Sequence, residues 1–203
     1  MLNKLRESLE PSLTKVGRSF ASTGLSANFW TGLGLGFSVL AGVMYSFNTF
    51  INIGWGQWNL ATIIGGVLLL LSGFFDVVDG SVARVTNQTS KKGAFLDSSF
   101  DKIAEVVIFA GILYGKLADP LLCLVGLGSS LLVSYTRSRA ESLGFGLKGI
   151  GVGERAERIL IIAIIGMIPV REAMDWAMIM VSIVAGITTV QRMAVTTKKL
   201  SSI

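Results

Sequence analysis

Six apolar stretches of about 20 residues leave this chain few folds to adopt. They run over 28–48, 57–79, 94–115, 117–136, 157–172 and 174–194, and a helix of roughly that length crosses the ~30 Å hydrocarbon core of a bilayer. Each run is continuously apolar, without the period-two alternation of a barrel strand, so the spans are expected to be helical. Composition points the same way. Hydrophobic residues make up 51% of the chain and charged residues only 15%, with a mean hydropathy of +0.65, a balance foreign to soluble domains. The expected fold is an all-α integral membrane protein with six transmembrane helices. No linker, low-complexity segment or repeat divides it, so 1–203 reads as a single domain with a six-span core at about 28–194.

The first 22 residues follow another pattern. Leu2, Leu5, Leu9, Leu13, Val16 and Phe20 recur every three or four residues, with charged and small polar residues between them. That spacing predicts an N-terminal amphipathic interfacial helix on the inner leaflet, kinked or split at Pro11; a frayed basic tail is the plainer alternative. Scattered charges and the lack of an apolar h-region argue against a signal peptide. Of the 18 Lys and Arg residues, all but Lys116 and Arg171 map to one side of the six spans, including Lys148 and the cluster Arg84, Lys91, Lys92 and Lys102. By the positive-inside rule that side is the cytosol, and both termini of the cell-membrane protein lie there.

No histidine is present, which excludes a histidine nucleophile, a histidine general base and every histidine metal site. The single cysteine, Cys123, has no partner for an internal disulfide and reads as core packing. Carboxylates must therefore carry the chemistry. Asp76 and Asp79 stand at i, i+3 and Asp97 and Asp101 at i, i+4, so each pair shares a helical face at the cytosolic end of an apolar run. Four such charges at the bilayer edge repel one another and lose hydration, a cost that bound divalent cations offset. Hard oxygen ligands favour Mg²⁺ or Mn²⁺.

The full pattern is Asp76-x-x-Asp79-Gly80-x-x-Ala83-Arg84, eight residues, then Gly93-x-x-x-Asp97-x-x-x-Asp101. It resembles the signature of the CDP-alcohol phosphatidyltransferases at all eight defining positions. At about 6% usage per residue type, a chance match is on the order of 10⁻¹⁰ per starting point. The resemblance implies two metal ions, the first on Asp76, Asp79 and Asp97 and the second on Asp97 and Asp101, with Asp101 also the general base. It implies attack by an alcohol hydroxyl on the lipid-linked phosphate of a CDP-lipid, release of CMP, and a homodimer in the bilayer. No nucleic-acid partner is expected.

Physical reasons accompany the remaining motif residues. Gly80 and Ala83 let a nucleotide approach the helix backbone, Arg84 can grip a phosphate, and Gly93 lets the second and third spans draw together. The family also carries Pro-Asn/Asp-x-x-Thr at the first span. Here Asn28 and Thr31 match while Ala27 replaces the proline. The resemblance places Asn28, Thr31, Gly80, Arg84 and Ser90 against the CDP moiety; an N-cap is the other reading of Asn28.

Later arginines bear on the acceptor. Arg137 and Arg139 lie in Ser-Tyr-Thr-Arg-Ser-Arg-Ala-Glu, Arg155 and Arg158 in Glu-Arg-Ala-Glu-Arg, and Arg192 in Val-Gln-Arg. Arginines at span ends commonly fix topology or meet headgroups. Five from three spans favour a phosphorylated acceptor, since guanidinium grips phosphate bidentately. These stretches resemble the inositol-phosphate branch of the family, which implies inositol phosphate as acceptor; Ala156 stands where that branch often has proline. Glycerol 3-phosphate is the alternative acceptor. An ion-binding transporter or scaffold is the alternative of another class, although transporters more often bury charge at the bilayer midplane.

Overall fold

A computed structural model describes residues 2–50, 59–88, 90–147 and 149–201. Seven α-helices follow one another, and no strand occurs among the described residues. They are α1 (Leu2–Ala21), α2 (Ala27–Ser46), α3 (Leu60–Val85), α4 (Lys91–Tyr114), α5 (Pro120–Ser142), α6 (Arg155–Gly166) and α7 (Ala173–Leu200), with a 3-10 turn at Phe47–Thr49. Lys148, residues 57–58 of the second expected span, and the side chains of 1–10, Leu2, Leu5 and Leu9 among them, lie outside the described residues.

Polar side chains start most of these helices. Ser26, Asn59, Ser90 and Asp119 each accept hydrogen bonds from orphan N–H groups of the first turn of α2, α3, α4 and α5, and Pro120 fills the first position of α5, where its missing N–H costs nothing. Ser26 thus holds the capping place considered for Asn28. The helix α1 passes through Pro11 unbroken, so the expected split does not occur. Val16, Phe20 and Ala21 pack its second half against Trp30, Val78 and Val82, which offsets the one backbone bond that proline removes.

Four helices, α2, α3, α5 and α7, are long and apolar enough to cross a membrane. Their outward faces stay apolar, with Leu40, Val67, Leu124, Ile183 and Val190 exposed, a surface suited to lipid. The chain is a membrane protein. The stretch expected over 157–172 forms only the 12 residues of α6, about 18 Å of rise. Pro169 stops it, because proline has no N–H and disfavours helical geometry in the residue before it.

Close packing sets the arrangement. The helix α2 packs on α3 and α4, α5 on α7, and α6 joins the two groups by packing on both α3 and α7. At the α2–α4 crossing a Cβ on Gly111 would overlap the carbonyl oxygen of Gly42, so the two backbones meet with no side chain between them. The main core gathers Tyr45, Leu69, Ile108, Ile112, Ile162 and Met178. Cys123 is buried against it as a free thiol, as expected. At the other end Trp30 stacks on Phe75 at 5.8 Å, close to the last turns of α3.

Candidate active site

The last turns of α3 and the first of α4 are brought together by a tight reversal. Asn87 takes a left-handed conformation, φ 54°, which Asn tolerates better than most residues. The side chain of Gln88 then accepts a hydrogen bond from Ala27 N at 3.1 Å, tying this turn to the start of α2. The motif residues of three helices meet as a result.

One carboxylate oxygen from each of Asp76, Asp97 and Asp101 lies within 4.8 Å of the others. Asp79, the fourth expected ligand, stands one turn further along α3. It is buried, and its Oδ2 has no hydrogen-bond partner among the described residues. Asp76, Asp79, Asp101 and Thr31 line a cleft of about 10 Å³, room for one water-sized sphere or ion. Opposing these acids is Arg155, whose Nη1 lies 2.9 Å from Asp76 Oδ1 and 2.8 Å from Asp101 Oδ1. Hard oxygen donors and an orphaned buried carboxylate oxygen around an ion-sized cleft fit a divalent cation such as Mg²⁺ or Mn²⁺.

A larger cavity of about 510 Å³ opens beside the cluster; Asp97 of the cluster lines it, and Asp101 and Arg155 line both it and the cleft. Arg137, Arg158 and Arg192 line it too. Arg139 does not; it is exposed and outside the lining, because positions i and i+2 of a helix cannot face the same way. Each lining arginine already has partners. Arg137 Nε donates to Glu141 at 2.9 Å. Arg192 donates to the carbonyls of Ile150 (2.9 Å) and Val133 (2.8 Å) and lies 3.5 Å from Glu154. Arg158 donates to Gly153 O at 2.7 Å and pairs with Glu105.

Two participants escaped the sequence reading. Glu105, one turn beyond Asp101, is 1% exposed and takes both Arg158 and Lys102, the latter at 2.6 Å. Lys102 also lines the cavity. A signal existed in the matched spacings, since Asp101 and Glu105 at i, i+4 face Arg155 and Arg158 at i, i+3. The partnership itself depends on α6 returning to α4.

The nucleotide motif is divided between surface and packing. A Cβ on Gly80 would meet only Arg84 Nη1, at 3.6 Å, so this backbone is open to approach. Arg84 is exposed and donates to Ser81 Oγ at 3.1 Å. Ala83, by contrast, packs against the Trp30 cluster. Gly93 does not bring α4 onto α3 as expected; its nearest neighbours are Ser90 Oγ and Asn28 Oδ1, at 3.1 and 3.8 Å from an added Cβ, because it sits in the first turn, beside the cap and the start of α2. Asn28 is exposed there. The Thr31 hydroxyl donates to Ala27 O at 3.2 Å, and Ser90 caps α4 through Gly93 N at 3.0 Å.

This chemistry can be set beside known proteins. The family model described as CDP-alcohol phosphatidyltransferase matches residues 25–191. The chain belongs to that family. It is therefore a transferase of phospholipid biosynthesis, and its acidic cluster is the place where a member would use a divalent metal. The archaetidylinositol phosphate synthase of Pyrococcus horikoshii is 34% identical over 200 residues, covering 98% of each chain. The crystal structure of Mycobacterium tuberculosis phosphatidylinositol phosphate synthase with CDP-DAG bound superposes with a TM-score of 0.72 at 25% identity, covering 91% of this chain and 92% of that one. The same enzyme in complex with manganese and citrate gives the same score and identity over 91% and 88%.

Proposed function

We propose that this CDP-alcohol phosphatidyltransferase moves the lipid-linked phosphate of CDP-archaeol or CDP-diacylglycerol onto inositol phosphate, releasing CMP and forming archaetidyl- or phosphatidylinositol phosphate. The observation that carries this reading is the sharing of Asp101 and Arg155 between the carboxylate cleft and the cavity lined by arginines. A phosphorylated acceptor held in that cavity has its hydroxyl beside the acidic cluster. The full-length relative named for the inositol phosphate product supports the same choice.

Asp76, Asp79, Asp97 and Asp101 would hold the metal, as two ions of Mg²⁺ or Mn²⁺. Bound there, the ions supply charge neutralisation for the diphosphate and for the departing phosphate. Asn28, Thr31, Gly80, Ala83, Arg84 and Ser90 form the CDP-lipid side of the site, with the open backbone at Gly80 receiving the nucleotide and Arg84 pairing with its phosphate. Arg137, Arg155, Arg158, Arg192 and Lys102 hold the acceptor phosphate, while Glu105 orients Arg158 and Lys102. Asp101 takes the proton of the attacking hydroxyl.

Placement in the membrane belongs to the same proposal. The helices α2 to α7 form six spans of a single domain over 1–203, α1 lies in the interface, and both termini and the site face the cytosol. The basic residues support this, since Lys116 and Arg171 alone fall in the α4–α5 and α6–α7 turns. A homodimer is carried over on the family resemblance.

The test is CMP release by purified protein given CDP-lipid and a panel of alcohols. Inositol phosphate should be used, and unphosphorylated inositol or serine ignored. Use of glycerol 3-phosphate alone would keep the cationic cavity and move the enzyme to the phosphatidylglycerophosphate synthase type. No CMP release with any alcohol of the panel would leave an ion-binding membrane protein.

A further inference from the structure

Arg155 opens α6 where that helix meets α3, and a single nitrogen, Nη1, serves both Asp76 and Asp101, at 2.9 and 2.8 Å. Its Nε is buried without a hydrogen-bond partner, and its side chain is 18% exposed. The other arginines of the inner cavity are anchored differently. Arg158 and Arg192, each 2% exposed at the side chain, donate to backbone carbonyls of Gly153, Ile150 and Val133. Those carbonyls lie outside the acidic cluster, whereas Asp76 and Asp101 belong to the cluster that suits a divalent ion. A guanidinium and a divalent ion cannot share those oxygens without strong mutual repulsion. Arg155 also lines both the ion-sized cleft and the larger cavity, so a side chain leaving the first has the second to enter.

We infer that Arg155 is the resident counterion of the carboxylate cluster, exchanged for the divalent cation and turned into the adjoining cavity when that cation binds. The inference rests on the metal-centre reading given under Proposed function. A cation then stands against the cluster in both states, and the cavity gains an uncommitted guanidinium only when metal is present. Metal and acceptor anion become coupled ligands, each tightening the other by the same factor.

Mn²⁺ binding to the purified full chain, read by electron paramagnetic resonance, tests this. Removing the competitor in Arg155→Gln should tighten Mn²⁺ binding on the order of tenfold. Arg155→Lys, which keeps a charge but shortens its reach, should gain less, and Arg139→Gln, outside the cavity, nothing. Sulfate, a tetrahedral anion, should tighten Mn²⁺ binding severalfold in the wild type and not in Arg155→Gln. Without metal, Arg155→Gln should melt below the wild type, and Mn²⁺ should raise its midpoint by more. Unchanged or weaker Mn²⁺ binding in Arg155→Gln overturns the inference, as does an equal gain in Arg139→Gln, which would reduce the effect to general charge. If both Arg155 variants fail to fold even with Mn²⁺ present, Arg155 is an architectural residue and the inference falls. A wild type that binds no Mn²⁺ would overturn the metal centre itself.

Discussion

Asp101 and Glu105 stand one turn apart on α4, in opposite electrostatic company. Around Glu105 the acid is fully engaged: it takes Lys102 at 2.6 Å and Arg158, and Arg158 reaches on to the carbonyl of Gly153 at 2.7 Å. The Glu105 and Arg158 side chains are sealed at 1% and 2% exposure. Around Asp101 the charges are unbalanced, since Asp76, Asp97 and the buried Asp79 crowd the same end and, among the described residues, the ion pairs of Asp76 and Asp101 are made by Arg155. Asp79 keeps an oxygen with no hydrogen-bond partner among the described residues. A closed set of buried charges holds helices together, because removing one member strands the rest. An open, overcharged set is costly until a ligand completes it.

The contrast is broken most directly at its open end. Asp97→Asn should lower CMP release at least about a hundredfold while the protein still inserts, since one coordinating charge is gone. Wild-type activity should vanish in EDTA and return with Mg²⁺ or Mn²⁺; full turnover in thoroughly chelated buffer would erase the distinction between the two levels of α4. At the closed end, Glu105→Gln leaves Arg158 buried and uncompensated and should cost about 3–5 kcal/mol of stability, read as a lower melting midpoint in detergent. A variant as stable as the wild type would show that Glu105 is not an anchor.

Finer tests compare residues within the site. Asp101→Asn should retain CDP-lipid binding better than Asp79→Asn yet turn over far more slowly, because loss of a base lowers turnover more than affinity. Equal losses of binding in both variants would assign Asp101 to metal holding alone. The smallest effect is expected at the cavity rim. Arg137→Gln should raise the apparent KM for inositol phosphate by roughly tenfold to a hundredfold, the equivalent of about 1.5–3 kcal/mol, and leave that for CDP-lipid nearly unchanged. Arg139→Gln should move neither. A matching rise for Arg139→Gln would mean that the cavity in its working state reaches further round α5.

Legibility in the sequence followed the range of the interaction. The carboxylates were readable because their spacing is local: i, i+3 and i, i+4 fix a face before any tertiary contact forms. Apolar runs located the helices for a similar reason, and Pro169, visible in the chain, is what ends α6 early. Asn28 is not the cap because α2 begins at Ala27, one residue before it, and Ser26 takes the N–H of Phe29. Lys102, Glu105 and Gln88 stayed hidden. Their roles arise from partners 53 or more residues away for Glu105 and Gln88, and no local pattern announces which distant arginine or amide will arrive. Arg139 shows the reverse case, since the motif counts two arginines of which the helix turns only Arg137 to the cavity lining.

The brevity of α6 has a mechanical meaning. Its 12 residues carry Arg155 and Arg158 at one end and stop at Gly166, while α3 and α7 beside it run for 26 and 28. On the six-span reading, this helix falls about 12 Å short of a ~30 Å hydrocarbon layer, and a bilayer meets such a deficit by thinning, at a cost of fractions of a kcal/mol per Å. The elastic energy of the surrounding lipid therefore acts on the segment that bears the arginines. On that reading, a change in bilayer thickness would be felt at the helix that bears Arg155 and Arg158, so the length of the surrounding tails would act on the site through α6.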